Sequence, residues 1–335
     1  MDADPRQGIG SELKPPGRGA RRAAATWLSA GPHLLFSKDP RLRILMTGGS
    51  GFLGRSLARW LTPRHRVTCL VRATSEAPPG TEPIEADLSE GIAAGRLPSR
   101  VDAVIHLAQS GRYNEFPEGT DDMLKVNFLS TATLLEYLRN AGGSQFLMAS
   151  TGNIYEPFDH GTAEESALWP ISFYAATKVA AEALIWPYRE NITGCVLRLW
   201  HLYGPGQKGR LMPNLIDAIA GGRPVFLDGA GDGVRLTPTY VDDVADVFVA
   251  ALQDRWQGAV NVASPETISM RELAEMIGRL IGRSPVFDRR GGGTPHPMVP
   301  VLERLGGRYD LRRFRPLDAG LAETIGTRNQ TPAAC

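Results

Sequence analysis

The stretch RILMTGGSGFLG, from Arg43 to Gly54, decides the reading of the whole chain. Ile44-Leu45-Met46-Thr47 shows no polar alternation, the mark of a short parallel strand buried on both faces. It runs straight into Gly48-Gly49-Ser50-Gly51-Phe52-Leu53-Gly54, and then into a helix expected over 55–61 and stopped by Pro63. Strand, glycine turn and helix in that order let backbone approach a pyrophosphate, whose charge then rests at the helix N-terminus. Gly48, Gly51 and Gly54, with Phe52 and Leu53 between them, are therefore candidate cofactor contacts. A purely structural tight turn would use the same glycines; the strand before and the helix after favour a dinucleotide.

Working outward, the next strand, RVTCLV at 66–71, ends at Arg72, 24 residues after Gly48. A dinucleotide fold places there the group that reads the adenosine ribose. An acid would accept from the free 2′-hydroxyl of NAD. An arginine has only donors and suits a 2′-phosphate. Arg72 thus favours NADP over NAD, the other reading being that it stacks on the adenine or points to solvent. Asp87, with Leu88 after it, follows a third short strand and is placed to accept from the adenine amino group.

A fourth strand, VDAVIHL at 101–107, ends in Leu107-Ala108-Gln109-Ser110, where small side chains leave room for a cofactor. A helix is expected over 122–140, with Asn127 inside it, placed either to hold a neighbouring loop or to face solvent. A fifth strand, QFLMA at 145–149, delivers Ser150-Thr151 at its C-terminal end, the side that faces the ligand crevice of an open parallel sheet. FYAATKVAAEA at 173–183 reads as helix, so Tyr174 and Lys178 share one face. A nearby ammonium favours the phenolate, which makes the pair a proton-transfer device for a carbonyl or alcohol. Thr151 offers a second hydrogen bond to the same oxygen.

Beyond a sixth strand at 196–199 the pattern changes. Helices are expected over 211–220, 241–252 and 269–281, the last with Ser269 and Glu272 spaced as a capping box. Short strands are expected at 224–227 and 260–262, and a loop at 288–300. Asp242 and Asp243 complement a helix N-terminus and are not read as catalytic. Tyr309, Arg312, Arg313 and Arg315 are placed either to meet a phosphate or, the simpler reading, to form solvated surface. The expected fold is α/β, a Rossmann-type doubly wound parallel sheet with a smaller interleaved C-terminal substrate lobe. Its dinucleotide core spans 41–200. Residues 201–325 form mainly the substrate lobe, with Rossmann elements returning at about 236–263, and a tail follows at 326–335.

Together these residues resemble the extended short-chain dehydrogenase/reductase family, in its NAD-dependent epimerase/dehydratase branch. The matching pieces are TGGSGFLG at 47–54, DL at 87–88, HLAQ at 106–109, Asn127, the ST…IY stretch at 150–155 and YAATK at 174–178. LRLWHLYGPG at 197–206 and YVDDVAD at 240–246 complete the likeness, which covers about 43 to 325. It implies that Thr151, Tyr174 and Lys178 form the catalytic group. Tyr174 would exchange the proton, Lys178 would lower its pKa and hold the nicotinamide ribose, and Thr151 would position the substrate oxygen. It further implies a nucleotide-linked sugar as substrate and a homodimer built through a four-helix contact.

The chain departs from the family pattern in ways that bear on substrate. Gly152-Asn153 follow Thr151, where sugar-nucleotide 4,6-dehydratases carry an Asp-Glu pair, so such a dehydratase is disfavoured. His201 stands where an Asn usually helps hold the substrate's diphosphate side. Leu236 occupies the place of a diphosphate-facing Arg, with Arg235 one residue earlier. Pro187 should kink or end the active-site helix about two turns past Lys178. Candidate substrate contacts are Ser110, Asn153, His201 and Arg235. Two functions remain. One is an NAD(P)-dependent oxidoreductase or epimerase acting on a secondary alcohol or ketone of a nucleotide-linked sugar. The other is an NADPH-dependent reductase of a keto sugar or other non-nucleotide carbonyl compound. A non-catalytic binding protein on the same fold is disfavoured by the intact Thr151, Tyr174 and Lys178 set.

Composition sets outer bounds. Of 335 residues, 42% are hydrophobic and 22% charged, values of a globular protein rather than a disordered one. No apolar run reaches the length of a membrane span. Three cysteines, widely spaced, argue against a disulfide scaffold, and no metal-ligand cluster is apparent. The net charge of +1 gives no reason to expect a nucleic-acid partner. Residues 1–40, rich in Pro, Gly, Ala and Arg, read as a disordered leader without the features of a secretory signal. The expected location is the cytoplasm.

Overall fold

Apolar runs without alternation can be satisfied only by a sheet covered on both faces, and the computed structural model builds one. It describes residues 41–155, 161–292 and 296–330; the leader at 1–40 and the last five residues of the expected tail lie outside them. The first half runs β1 (Arg43–Thr47), α1 (Phe52–Leu61), β2 (Arg66–Val71), β3 (Glu82–Glu85), β4 (Ala103–His106), α2 (Thr120–Met123), α3 (Ser130–Asn140), β5 (Gln145–Thr151), α4 (Phe173–Ala183) and β6 (Thr193–Leu199). The second half runs β7 (Leu202–Tyr203), α5 (Leu211–Ala220), β8 (Val225–Asp228), β9 (Arg235–Leu236), β10 (Thr239–Tyr240), α6 (Val241–Gln253), β11 (Gly258–Val262), β12 (Ile268–Ser269), α7 (Met270–Ile281), β13 (Phe287–Arg290), α8 (Glu303–Gly306) and α9 (Leu317–Gln330).

Seven strands form one parallel sheet in the order β11-β6-β5-β4-β1-β2-β3. Chain order reverses at β1, which lies between β2 and β4, so the ligand crevice opens at the C-terminal ends of β1 and β4. Alternate strand residues feed two cores. Ile44, Met46, Cys69 and Ile105 pack against Leu57 of α1 and Val244 and Phe248 of α6. On the other face Leu45, Val104, Phe146 and Met148 pack against Leu134 and Leu138 of α3 and Ala181 of α4. The resulting layers are helix, sheet and helix, as expected for the doubly wound class.

A third core belongs to the smaller lobe. Ile216 and Ile219 of α5, Leu273 and Ile277 of α7, and Leu321 and Ile325 of α9 meet there. Helix α7 starts on the expected capping box, with Ser269 accepting from the backbone of Glu272 and Glu272 accepting from the backbone of Ser269, and stops at Gly282 in the left-handed region. The lobe is interleaved with the sheet, because α6 and β11 return to it from within this half of the chain.

Several local expectations change. The helix expected over 122–140 starts at Thr120 and is interrupted by a π-helical stretch, Leu124–Leu129. Just after it, the hydroxyls of Ser130 and Thr131 donate to the carbonyls of Val126 and Asn127, at 2.6 and 2.8 Å, a back-bonding that competes with the regular ladder. Helix α4 ends at Ala183, and Pro187 sits in a short 3₁₀ turn beyond it. The stretch 288–300, expected as a loop, opens inside β13, which pairs parallel with β8. Its Phe-Asp-Arg-Arg sequence gives no apolar alternation to announce a strand. The tail expected from residue 326 is helical as far as Gln330.

Helix α6 is tied at its first turn to both neighbours. Asp242 accepts from Ser56 and pairs with Arg59 of α1, while Asp243 accepts from the backbone of Arg315 at 2.8 Å. Asp243 is only 8% exposed. Burial first, and then the charges of Asp242 and Asp246, push its carboxyl up to about 7, against the pull of Arg315. A carboxyl that holds its proton more tightly folded than unfolded contributes stability below its unfolded value, and that contribution is lost as pH rises through the folded one. Asp243→Asn should therefore raise the melting temperature at pH 8 by about 2–4 °C, with the gap shrinking at pH 5. A gap equal at both pH values in thermal melts would contradict this origin.

Candidate functional site

Crowding at the glycine turn shows why these residues are small. A Cβ on Gly54 would lie 2.2 Å from the carbonyl oxygen of Gly48, and one on Gly48 would lie 2.7 Å from the backbone nitrogen of Ala108. Gly48 also has φ +70°, a conformation that costs other residues. The turn therefore packs directly against the end of β4. Helix α1 begins after Gly51 with no side-chain cap, so its first N–H groups are free to meet an anion. Thr47 and His106 brace the turn from beneath, with Thr47 Oγ1 2.7 Å from His106 Nδ1 and 3.2 Å from the Ala108 nitrogen. Burial, and then the charge of Lys178, push the His106 imidazole down to about 3, so this brace is neutral.

From the turn a cavity of about 920 Å³ runs across the C-terminal ends of the strands. Gly48, Gly51, Phe52, Leu53 and Gly54 line one end, with Arg72, Asp87 and Leu88 close by. Leu107, Ala108, Ser110, Thr151, Asn153, Tyr174, Lys178 and His201 line the rest. The cavity thus gathers nearly all the residues singled out from sequence. A size near the top of the usual range for ligand pockets, a glycine cradle and an uncapped helix N-terminus fit a nicotinamide dinucleotide.

Two candidates are not on the lining. Asn127 is buried behind it, accepting from the Ser110 backbone at 2.9 Å and donating to Thr177 at 3.0 Å, so it ties the β4 loop to α4. Arg235 sits on β9 outside the cavity, half-exposed, 3.9 Å from Glu272. Arg235 therefore does not approach the other candidates, and the sequence offset from Leu236 is not compensated by the local backbone.

Helix α4 carries Tyr174 and Lys178 because Ser172 caps it, accepting from the Ala175 nitrogen at 3.1 Å. Tyr174 donates to Gln109 Oε1 at 2.9 Å, and the Thr151 hydroxyl acts on the phenol in the sense that eases its ionisation. Lys178 is 1% exposed and donates to the Ala149 carbonyl at 2.9 Å. Burial pushes its ammonium down to about 8, with Glu182 acting the other way. The electrostatics differ from the sequence expectation. Burial pushes the Tyr174 phenol up to about 12, and the cation that pulls it back is Arg210, not Lys178, whose ammonium is turned toward the strand end. The Arg210 guanidinium lies 4.1 Å from the centre of the Tyr113 ring, which meets the Tyr174 ring edge-on at 5.7 Å.

His201 has φ +41°, in the left-handed region that Asn and His enter more readily than most residues. Its Nδ1 is buried without a hydrogen-bond partner among the described residues, and burial pushes the imidazole down to about 4. A neutral ring here can hydrogen-bond a substrate but adds no positive charge. Besides Arg72 and Lys178, the lining carries two further basic side chains, Lys208 and Arg210, with Tyr113 and Gln207 also on it. Sequence reading missed them. The only available signal was a basic pair in GQKGR, directly after the Gly204-Pro205-Gly206 turn.

Behind the site lies a buried network. Glu182 pairs with Arg198 at 2.7 Å and accepts from Ser150, beside Thr151. Arg198 also donates to the Tyr155 hydroxyl and to the Glu164 carbonyl. The C-terminal arginines, by contrast, are engaged with acids away from the cavity: Arg312 with Asp310, Arg313 with Asp246 and Arg315 with Glu323. Tyr309, expected at the surface with them, is instead buried in the first core, its hydroxyl donating to Asp246.

Comparison with known proteins agrees with this construction. The model of the NAD dependent epimerase/dehydratase family matches residues 44–263. UDP-glucuronic acid decarboxylase 1 of Xenopus tropicalis is 28% identical over 314 residues, covering 88% of this chain and 74% of its own. The 2-alkyl-3-oxoalkanoate reductase of Stenotrophomonas maltophilia is 28% identical over 306 residues, covering 85% and 90%. Among solved structures, MoeE5 in complex with UDP-glucuronic acid and NAD superposes with a TM-score of 0.74 at 26% identity, covering 86% of this chain and 99% of that one.

Proposed function

The chain belongs to the NAD-dependent epimerase/dehydratase family and is an NAD(P)-dependent enzyme, and on that premise we propose that it interconverts a secondary alcohol and a ketone on a nucleotide-linked sugar or similar substrate. The observation that carries the reading is one continuous cavity in which the glycine cradle leads to Thr151 and Tyr174, with Lys178 one turn further along α4. The glycine turn and the N-terminus of α1 would hold the pyrophosphate, Asp87 and Leu88 the adenine end, and Lys178 the ribose next to the nicotinamide. When bound, the nicotinamide supplies hydride exchange with the substrate carbon. Tyr174 moves a proton between its Oη and the substrate oxygen, and Thr151 orients that oxygen by a second hydrogen bond. The MoeE5 structure, bound to NAD and UDP-glucuronic acid, and a relative named for a nucleotide-linked sugar support this reading.

NADP is the preferred cofactor in this reading, because Arg72 lines the adenine end and offers only donors. A homodimer is also part of it, supported by the half-exposed Leu124 and Leu129 on the helical run between Thr120 and Asn140. Among the described residues no helix is long and apolar enough to cross a membrane, which is compatible with a cytoplasmic enzyme. A second reading, reduction of a non-nucleotide carbonyl compound, is favoured by Arg235, which lies outside the cavity, and by the neutral His201. The oxoalkanoate reductase among the relatives supports it as well.

Tyr174→Phe should lower turnover by about 10²–10⁴-fold while the dinucleotide dissociation constant stays within a few-fold, measured by steady-state kinetics and fluorescence titration. Unchanged turnover would remove Tyr174 from the mechanism. Arg72→Asp should weaken NADPH binding far more than NADH binding in the same titration; equal losses would sink the 2′-phosphate assignment.

A further inference from the structure

Tyr174 has two polar neighbours that act on it in opposite senses. Thr151 eases the ionisation of the phenol. Gln109 does the reverse, because its side-chain carbonyl accepts the phenol's own proton at 2.9 Å. A partner that accepts from the neutral form disfavours ionisation. Gln109 is not there to fill space: it lines the cavity with Tyr174 and Thr151, at the end of β4 and directly after the Ala108 that the glycine turn packs against. The charged and titratable groups around the phenol are Arg210 and Tyr113 on the substrate side, and Lys178 one turn along α4. Of these, Lys178 is directed at the Ala149 carbonyl and Arg210 is stacked on Tyr113. Gln109 is therefore the group in direct contact with the proton that the reaction must move.

We propose that Gln109 is a positioning residue that fixes where the proton of the neutral Tyr174 phenol points in the resting site, and that the oxygen of an incoming ketone takes over the place of its carbonyl. The inference rests on the reading of Tyr174 as the acid–base group and narrows it to a direction. A site that first oxidises an alcohol needs Tyr174 as a base, ready to accept. A site that first reduces a ketone needs it as an acid, with its proton already directed into the cavity. In that step the phenol O–H breaks and the proton passes to the carbonyl oxygen as the carbonyl carbon gains hydride from a reduced nicotinamide dinucleotide. The phenolate left behind recovers its proton from solvent. Gln109 does not alter the overall equilibrium; it adds to the burial that already holds the phenol neutral and directs its proton into the cavity, and so prepares the site to meet a ketone first.

The test reads the phenol itself in ligand-free protein. Tyrosines labelled at the ring carbon bearing oxygen are followed by NMR against pH, and the Tyr174 signal is identified by its loss in Tyr174→Phe. Gln109→Met keeps the length and removes the acceptor, so the phenolate-to-phenol ratio at a fixed alkaline pH should rise about fivefold, the worth of one ordinary hydrogen bond. Gln109→Glu keeps an acceptor and adds negative charge, so the same ratio should fall. No change in either variant, or the opposite signs, would overturn the proposal; the opposite signs would mean that the amide nitrogen faces the phenol. The underlying reading fails separately, if Tyr174→Phe retains turnover with a ketone while the Gln109 shifts appear as stated.

Discussion

A buried ion pair holds the active-site helix where it must be. Glu182 and Arg198 are 4% and 6% exposed at the side chain and 2.7 Å apart. One stands on α4 a turn beyond Lys178, the other on β6 beside the strand that ends in Thr151. Taking two charges out of water costs several kcal/mol each, so the pair is stable only because its remaining hydrogen-bonding capacity is used. Ser150, Tyr155 and the Glu164 carbonyl use it. The same bonds fix the end of β5, the pitch of α4 and hence the separation of Thr151, Tyr174 and Lys178. Removing either partner would leave a buried charge alone and cost about 3–5 kcal/mol, felt at the site before anywhere else.

From that anchoring follows a division of labour. The glycine turn, the uncapped α1 and the neutral Thr47–His106 brace make one end of the cavity a backbone-lined cradle with little flexible side chain in it. The other end is built largely of side chains, where Gln109, Tyr113 and Arg210 surround the phenol and Lys208 also lines the cavity. The first end is dictated by a ligand with fixed geometry. The second is where members of one family can differ, and it is where this chain departs from the pattern at His201; Leu236 is buried in the core of the smaller lobe.

What the sequence made legible reflects the same division. The seven-stranded sheet could be read because unbroken apolar runs end in glycine or small residues in a fixed order. Gly48, Thr151, Tyr174 and Lys178 could be read because backbone approach and helical spacing leave few alternatives. The rest depends on side-chain direction, which pattern does not carry. Lys178 shares a helix face with Tyr174 yet turns to the Ala149 carbonyl. Arg235, one residue from the expected place, points to Glu272 because a shift of one position in an extended segment reverses the face. The π-helical stretch around Asn127 was hidden because the hydroxyls that bond back to carbonyls beside it look in sequence like an ordinary Ser-Thr pair in a helix. Strand β13 was hidden because its pairing with β8 is made by backbone, under side chains that give no alternation.

The measurement that reaches the central claim most directly is the identity of the dinucleotide in freshly purified protein, by mass and absorbance, followed by dialysis and titration with NADPH and NADH. A site that meets ketones with a proton already in place must take its reductant from solution. The account predicts a dinucleotide that leaves on dialysis and a site that then fills with NADPH in preference to NADH. NAD retained through dialysis, to be reduced and reoxidised within the site, would contradict it.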